Sequence, residues 1–273
     1  MSTIMWKGLV SEDYNASGNW DGDAVPGAGD TVIFSPLYNN PVTQNLDQGT
    51  TAISEVIVEP GYTADIGSSA LYYKATFSKF RYSGGGRAFI DFGTGSGIDP
   101  VITGGLQYNG GEYAVHLQGE MDNLSVSNGS VTIAPGQDAT ATIASLNLTA
   151  GRVKVSSRTS TFTSLTQTGG RLDTDASIGT VKLMKGTLVT QETAVVSTSL
   201  KVFSGKAVLN GAGTYTLIQL EDTGSIDFRS NGQARTITTL KQNGGTIFYD
   251  PDVITITTDT APDRVIARSV SNV

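Results

Sequence analysis

LNLTAGRVKV, residues 146–155, decides the fold: two short runs of alternating apolar side chains, Leu146 and Leu148 then Val153 and Val155, are joined by a tight turn at Gly151. A period of two sends one face of each run inward and the other outward, as in half-buried strands. The pattern recurs along the chain. It stands in LQYNGGEYAV (106–115), LSVSNGSVTI (124–133), LTQTGGRLDT (165–174) and VKLMKGTLVT (181–190), and again in LKVFSGKAVL (200–209), LIQLEDTGSIDF (217–228) and LKQNGGTIFY (240–249). The anchor glycines Gly111, Gly129, Gly151, Gly170, Gly186, Gly205, Gly224 and Gly245 are spaced by 18, 22, 19, 16, 19, 19 and 21 residues. Weaker copies lie upstream in VIVEPGYTADI (56–66) and FRYSGGGRAFIDF (80–92).

Self-similarity at such a period is the signature of a solenoid, because one unit cannot bury its apolar face alone and stacked units can. The expected fold is all-β: a parallel β-helix, or β-solenoid, of about ten rungs with about 19 residues per rung, over residues 53–258. Each rung reads strand, glycine corner, strand, then a Thr/Ser/Ala-rich segment such as residues 139–144 or 193–198. Glycine suits the corner because a sharp bend between strands favours positive φ, which costs little without a Cβ. No segment carries a 3.6-residue period.

The composition agrees with a folded β-rich chain: 33 glycines, 16% charged and 38% apolar residues. A net charge of −7 argues against a phosphate-binding surface, and nucleic acid is not an expected partner. There is no apolar run of membrane-spanning length, so no membrane is expected, and the start at Met1 lacks the pattern of a secretory signal. Cysteine is absent, which removes disulfides, thiol nucleophiles and thiolate metal sites.

The ends differ from the middle. Residues 1–52 hold both tryptophans and read Trp6-Lys7-Gly8, then Asn19-Trp20, then Val25-Pro26-Gly27-Ala28-Gly29-Asp30, followed by Thr31-Val32-Ile33-Phe34. This is the composition of a cap or attachment segment that closes the exposed edge of a solenoid. Beyond the last rung, residues 253–257 form one more alternating run, and residues 259–273 are a tail containing Pro262, Asp263, Arg264 and Arg268. The capping segment resembles the start of many phage virion β-helix proteins and of some bacterial surface-repeat proteins.

Residues able to carry chemistry are scattered. His116 is the only histidine, so a Ser-His-Asp triad or a multi-histidine metal site has one residue to build on, and a surface or corner role is expected. Asp21, Asp23 and Asp30 lie in one loop but lack the spacing of a calcium loop, and turn chemistry accounts for them. Arg87, Arg152, Arg171 and Lys206 follow corner glycines, with Asp91, Asp173 and Asp227 nearby in their rungs, which reads as a ladder of opposite charges on a solvent face. The group Gly84-Gly85-Gly86 lacks the Lys-Ser/Thr and helix of a phosphate loop. No catalytic residue, metal site or cofactor is expected.

The resemblance implies a non-enzymatic virion structural protein: a capsid decoration or cement protein on the outer capsid surface of a bacteriophage, made in the host cytoplasm. Its partners would be the major capsid protein and copies of itself in a homotrimer. Trp6, Trp20, Phe34, Arg264 and Arg268 are then the expected capsid contacts, and Tyr72, Tyr73, Phe77 and Phe80 the expected subunit contacts. The alternatives are a tail fibre or spike that binds, and in some cases cleaves, a host surface glycan, or a bacterial surface adhesin passenger. A groove lined by aromatics and carboxylates marks the fibre or spike.

Overall fold

A computed structural model describes residues 1–94, 97–105, 113–136, 139–191, 193–229 and 232–260. Residues 106–112 of the LQYNGGEYAV rung, with Gly110 and Gly111, and the tail residues Arg264 and Arg268 lie outside them. The chain is an all-β parallel β-solenoid of about nine turns, about 19 residues apart. Its helical content includes three 3₁₀ turns, Ser17–Asn19, Asp21–Asp23 and Pro36–Tyr38. No helix among them is long and apolar enough to cross a membrane. The chain divides into two compact units, Met1–Thr142 and the part from Ile143 onward.

In the first unit the strands Thr3–Trp6, Thr31–Phe34, Glu55–Val58, Phe80–Tyr82 and Val101–Ile102 follow one another in one parallel ladder. Register stacks Trp6, Phe34, Val58, Tyr82 and Ile102 in one inward column, and all five are buried. A second ladder joins Asp47–Ile53, Tyr73–Phe77, Ala88–Asp91, the start of Val115–Val126 and Ser130–Ile133. The coil therefore begins at residue 3, inside the segment read as a cap from its composition. What covers the first rung is the loop that follows it, where Trp20 bridges to Trp6 and the Lys7 amide donates to the Asn19 carbonyl at 2.7 Å.

In the second unit each turn contributes one long strand and one short one. The long strands Thr161–Gln167, Ile178–Leu183, Val196–Val202, Gly213–Leu220, Arg235–Gln242 and Ile254–Asp259 form one parallel ladder. The short strands Arg152–Val155, Arg171–Thr174, Thr187–Thr190, Lys206–Leu209, Ser225–Asp227 and Thr246–Phe248 form the other. The Thr/Ser/Ala-rich segments run into the long strands, as residues 193–198 lead into and open Val196–Val202. Within each long strand the inward alternation slips, as at Thr163-Ser164 and Thr238-Thr239, where two consecutive side chains are not buried. One strand thus serves two sides of the rung, with a corner at the slip.

The core is a set of stacked apolar columns, of which Leu165, Val181, Leu200, Ile218 and Leu240 are one. Fully burying one such side chain stabilises by about 1.5–3 kcal/mol. Corners are closed by side chains as well as by glycine: Gln167 Nε2 donates to the carbonyls of Gly170 and Thr187, and Gln242 Nε2 to that of Gly245. The run after the last short strand, Ile254–Asp259, pairs with Arg235–Gln242 as the sequence pattern predicts.

Candidate functional site

The aromatic residues expected at contact surfaces are core residues. Trp6, Trp20 and Phe34 are fully buried, with Trp6 and Trp20 edge to face at 4.9 Å and Trp20 and Phe34 at 6.4 Å. Their indole groups are satisfied inside the fold, Trp6 Nε1 by the Asn40 carbonyl at 2.9 Å and Trp20 Nε1 by the Tyr14 carbonyl at 2.6 Å. Tyr73, Phe77 and Phe80 are also buried, in a cluster with Phe92 and Phe34. None of these six offers a surface to the capsid or to another subunit, because alternation turns them inward. Tyr72 differs: one residue before Tyr73, it points outward and is half-buried.

Tyr72 belongs to a recess on the outer face of the first unit. Phe89 and His116 are cross-strand neighbours whose rings stack 4.2 Å apart at an angle of 4°, and Tyr72 meets Phe89 edge-on at 5.7 Å. Phe89 is the floor of this recess of about 280 Å³; Tyr72, His116, Ser69, Pro135 and Gly136 are its walls. Gly67 lets the loop before Tyr72 fold down onto the floor: its φ is +77°, and a Cβ there would lie 2.6 Å from the Leu71 carbonyl. Burial, and then the charge of Asp91, push the Tyr72 hydroxyl above its ordinary pKa, so it remains a neutral donor.

Two residues along each strand from these rings runs a polar column. Lys74 neighbours Asp91 across the ladder, and Asp91 neighbours Gln118. Asp91 accepts from Gln118 Nε2 at 3.0 Å and from the Gly93 amide at 2.8 Å. Lys74 forms no ion pair with a described residue. These side chains line an open groove of about 430 Å³ with Thr76, Thr94 and Thr140, and Gly49, Gly93 and Gly119 leave its wall without side chains. Gln118 lines both groove and recess, so the two are adjacent.

The arrangement is suited to holding a polyhydroxylated ligand. Ring edges meet the apolar faces of a sugar, while a cation, a carboxylate, an amide and hydroxyls exchange hydrogen bonds with it. Glycoside hydrolysis calls for two carboxyl groups flanking one bond, and Asp91 is the one carboxylate among the described lining residues.

Other sequence-level candidates resolve into local structure. The Asp30 carboxylate accepts from the amides of Gly27 and Ser2, which hold its pKa below the ordinary value, and Asp23 lies 3.6 Å from Lys7. No group of three potential metal ligands forms among the described residues. Arg152 and Arg171 both pair with Asp173, so that part of the charge ladder exists, while Asp227 pairs with Arg229 and not with Lys206. Arg87 pairs with Asp65 of the preceding rung and not with Asp91, which leaves Asp91 to the groove. Phe89, Lys74, Gln118, Gly93 and Gly119 were not singled out by the sequence pattern. The available signal was a pair of glycines, Gly93 and Gly119, standing off the corner positions. The chain matches no protein-family model, no curated protein and no solved structure.

Proposed function

We propose that this protein is a non-enzymatic, saccharide-binding β-solenoid of the fibre or spike type, its ligand lying along the groove of the first unit. The observation that carries the reading is the adjacency of the stacked Phe89–His116 pair and Tyr72 to the Lys74–Asp91–Gln118 column. A rigid ladder fixes these side chains without ordering a loop on binding, which lowers the entropic cost of association. The test is binding to an array of bacterial surface glycans by the purified chain and by Tyr72→Ala and His116→Ala, with folding checked by circular dichroism. Binding weakened by about tenfold in each variant, near 1.4 kcal/mol, supports the reading. Absence of any glycan bound by the parent chain, or equal binding by the folded variants, overturns it.

A second reading, the capsid decoration protein, is favoured by the exposure of Leu9, Val10 and Leu37, which are 65%, 71% and 76% accessible. They lie in the segment expected to attach to the capsid and replace Trp6, Trp20 and Phe34 as its contact residues. Leu9→Ser combined with Leu37→Ser would then abolish co-sedimentation with capsids and leave glycan binding intact. Unchanged co-sedimentation, or failure of the parent chain to bind, removes this reading.

A further inference from the structure

The second unit carries a separate charged feature. Register places Thr166, Lys182, Lys201, Gln219 and Lys241 in one outward column on five successive long strands. All three lysines are exposed, and none forms an ion pair with a described residue. Lys182 and Lys201 are directly opposed on neighbouring strands, where like charges destabilise a sheet, and the one local contact among the described residues that offsets this is the Lys182 ammonium 6.0 Å from the Phe203 ring. Glu221, the carboxylate beside it, is occupied: its Oε1 accepts from Gln219 Nε2 at 2.6 Å and Asn243 Nδ2 at 2.9 Å. Two residues back along the same strands runs a largely hydroxylated column, Ser164, Thr180, Ser199, Leu217, Thr239 and Thr258.

Charge is also segregated along the chain. Residues 1–142 hold 15 Asp and Glu against 5 Lys and Arg, whereas residues 143–260 hold 9 against 11. The lysine column therefore stands on the one unit that does not repel an anion.

We propose that the Lys182–Lys201–Lys241 column is a binding site for an acidic polysaccharide, distinct from the groove of the first unit. Ammonium groups one strand spacing apart at Lys182 and Lys201, about 4.8 Å, and two spacings apart at Lys201 and Lys241 suit an extended chain bearing carboxylates or sulfates. The neighbouring hydroxyls suit its sugar hydroxyls. A nucleic acid strand is the poorer fit, because single-strand binding relies on aromatic faces for base stacking, and neither column contains an aromatic residue. The site does not depend on the first-unit groove, since its residues and its ligand charge differ.

The experiment titrates polyuronate, dextran sulfate, uncharged dextran and a single-stranded oligonucleotide against three forms of the full chain. These are the parent, the column variant Lys182→Gln/Lys201→Gln/Lys241→Gln, and a control with the same charge change, Lys79→Gln/Lys154→Gln/Lys185→Gln. The expected result is salt-sensitive binding of the polyuronate or dextran sulfate, reduced by about tenfold or more in the column variant and little changed in the control. Binding of polyuronate alone identifies carboxylate as the recognised group, and of dextran sulfate alone, sulfate. Four results overturn the proposal: no binding of either acidic polymer, equal loss in the two variants, tighter binding of the oligonucleotide, or salt-sensitive self-association that the column variant alone abolishes.

Discussion

At the scale of single residues, the corner glycines serve two different physical needs. Gly129, Gly151, Gly170, Gly186 and Gly245 have positive φ, as the bend requires. Gly205 and Gly224 do not; they are glycine because a Cβ would strike the rung next door, 2.6 Å from Leu183 Cγ at Gly205 and 2.8 Å from Val202 Cγ1 at Gly224. The two effects separate in a pair of substitutions. At Gly129 φ is +89° and a Cβ would lie 1.8 Å from the Gly104 carbonyl oxygen, whereas at Gly22 φ is +77° and nothing lies within 4 Å. Gly22→Ala should cost about 1–2 kcal/mol, the left-handed backbone penalty alone. Gly129→Ala adds displacement of a neighbouring backbone and should cost more than about 4 kcal/mol or prevent folding. Urea midpoints measure both, and similar losses would mean that the neighbouring rung yields without resistance.

At the scale of the strand, inside and outside have opposite energetic roles one residue apart. Leu200 is fully buried in the column between Val181 and Ile218, and Lys201 is exposed beside Lys182. Leu200→Ala should destabilise by about 2–5 kcal/mol, transfer and cavity costs together. Lys201→Ala should change stability by less than about 0.5 kcal/mol, or raise it slightly by relieving the repulsion from Lys182. Denaturant titration of the two variants decides it, and a large loss at Lys201 would mean the column is structural. The strand scale also explains what the sequence made legible. The period and the alternation in 146–155 were enough for a parallel solenoid, because both follow from local pattern. The site was not legible in the same way. Phe89 and His116 lie on two different strands and Tyr72 directly precedes a third, and only register unites them. Register depends on rung length, which in the first unit runs from Trp6 to Phe34, Val58, Tyr82 and Ile102, steps of 28, 24, 24 and 20 residues. A slip of one residue turns Tyr72 inward and Tyr73 outward. Aromatic content near the N-terminus was therefore readable, and its burial was not.

At the scale of the molecule, each unit places tyrosine hydroxyls in its core, and this sets how the fold answers to alkali. Tyr14 and Tyr73 share a hydrogen bond at 3.0 Å, Tyr62 donates to the Asn40 carbonyl and Tyr215 to the Gly211 carbonyl. Burial is the largest cause in raising all four above the ordinary tyrosine pKa, and Tyr215 is pushed up to about 12. An unfolded chain releases these protons near pH 10 while the folded chain keeps them, so above that point the unfolded state binds fewer protons and stability falls as pH rises. The contribution is fully present below about pH 10 and is lost as pH rises through the folded values. For Tyr215 alone the loss is about 2 kcal/mol by about pH 12. Tyr215→Phe removes the ionisable group from both states. At about pH 8 it should cost roughly 1 kcal/mol for the lost hydrogen bond. Near pH 12 the variant should be more stable than the parent, because the parent has lost about 2 kcal/mol that the variant never had to lose. Urea unfolding at the two pH values reads this crossover directly. Curves for parent and variant that fall in parallel would show that the folded hydroxyl at position 215 ionises as readily as a free one, and that its burial does not govern the alkaline limit of the fold.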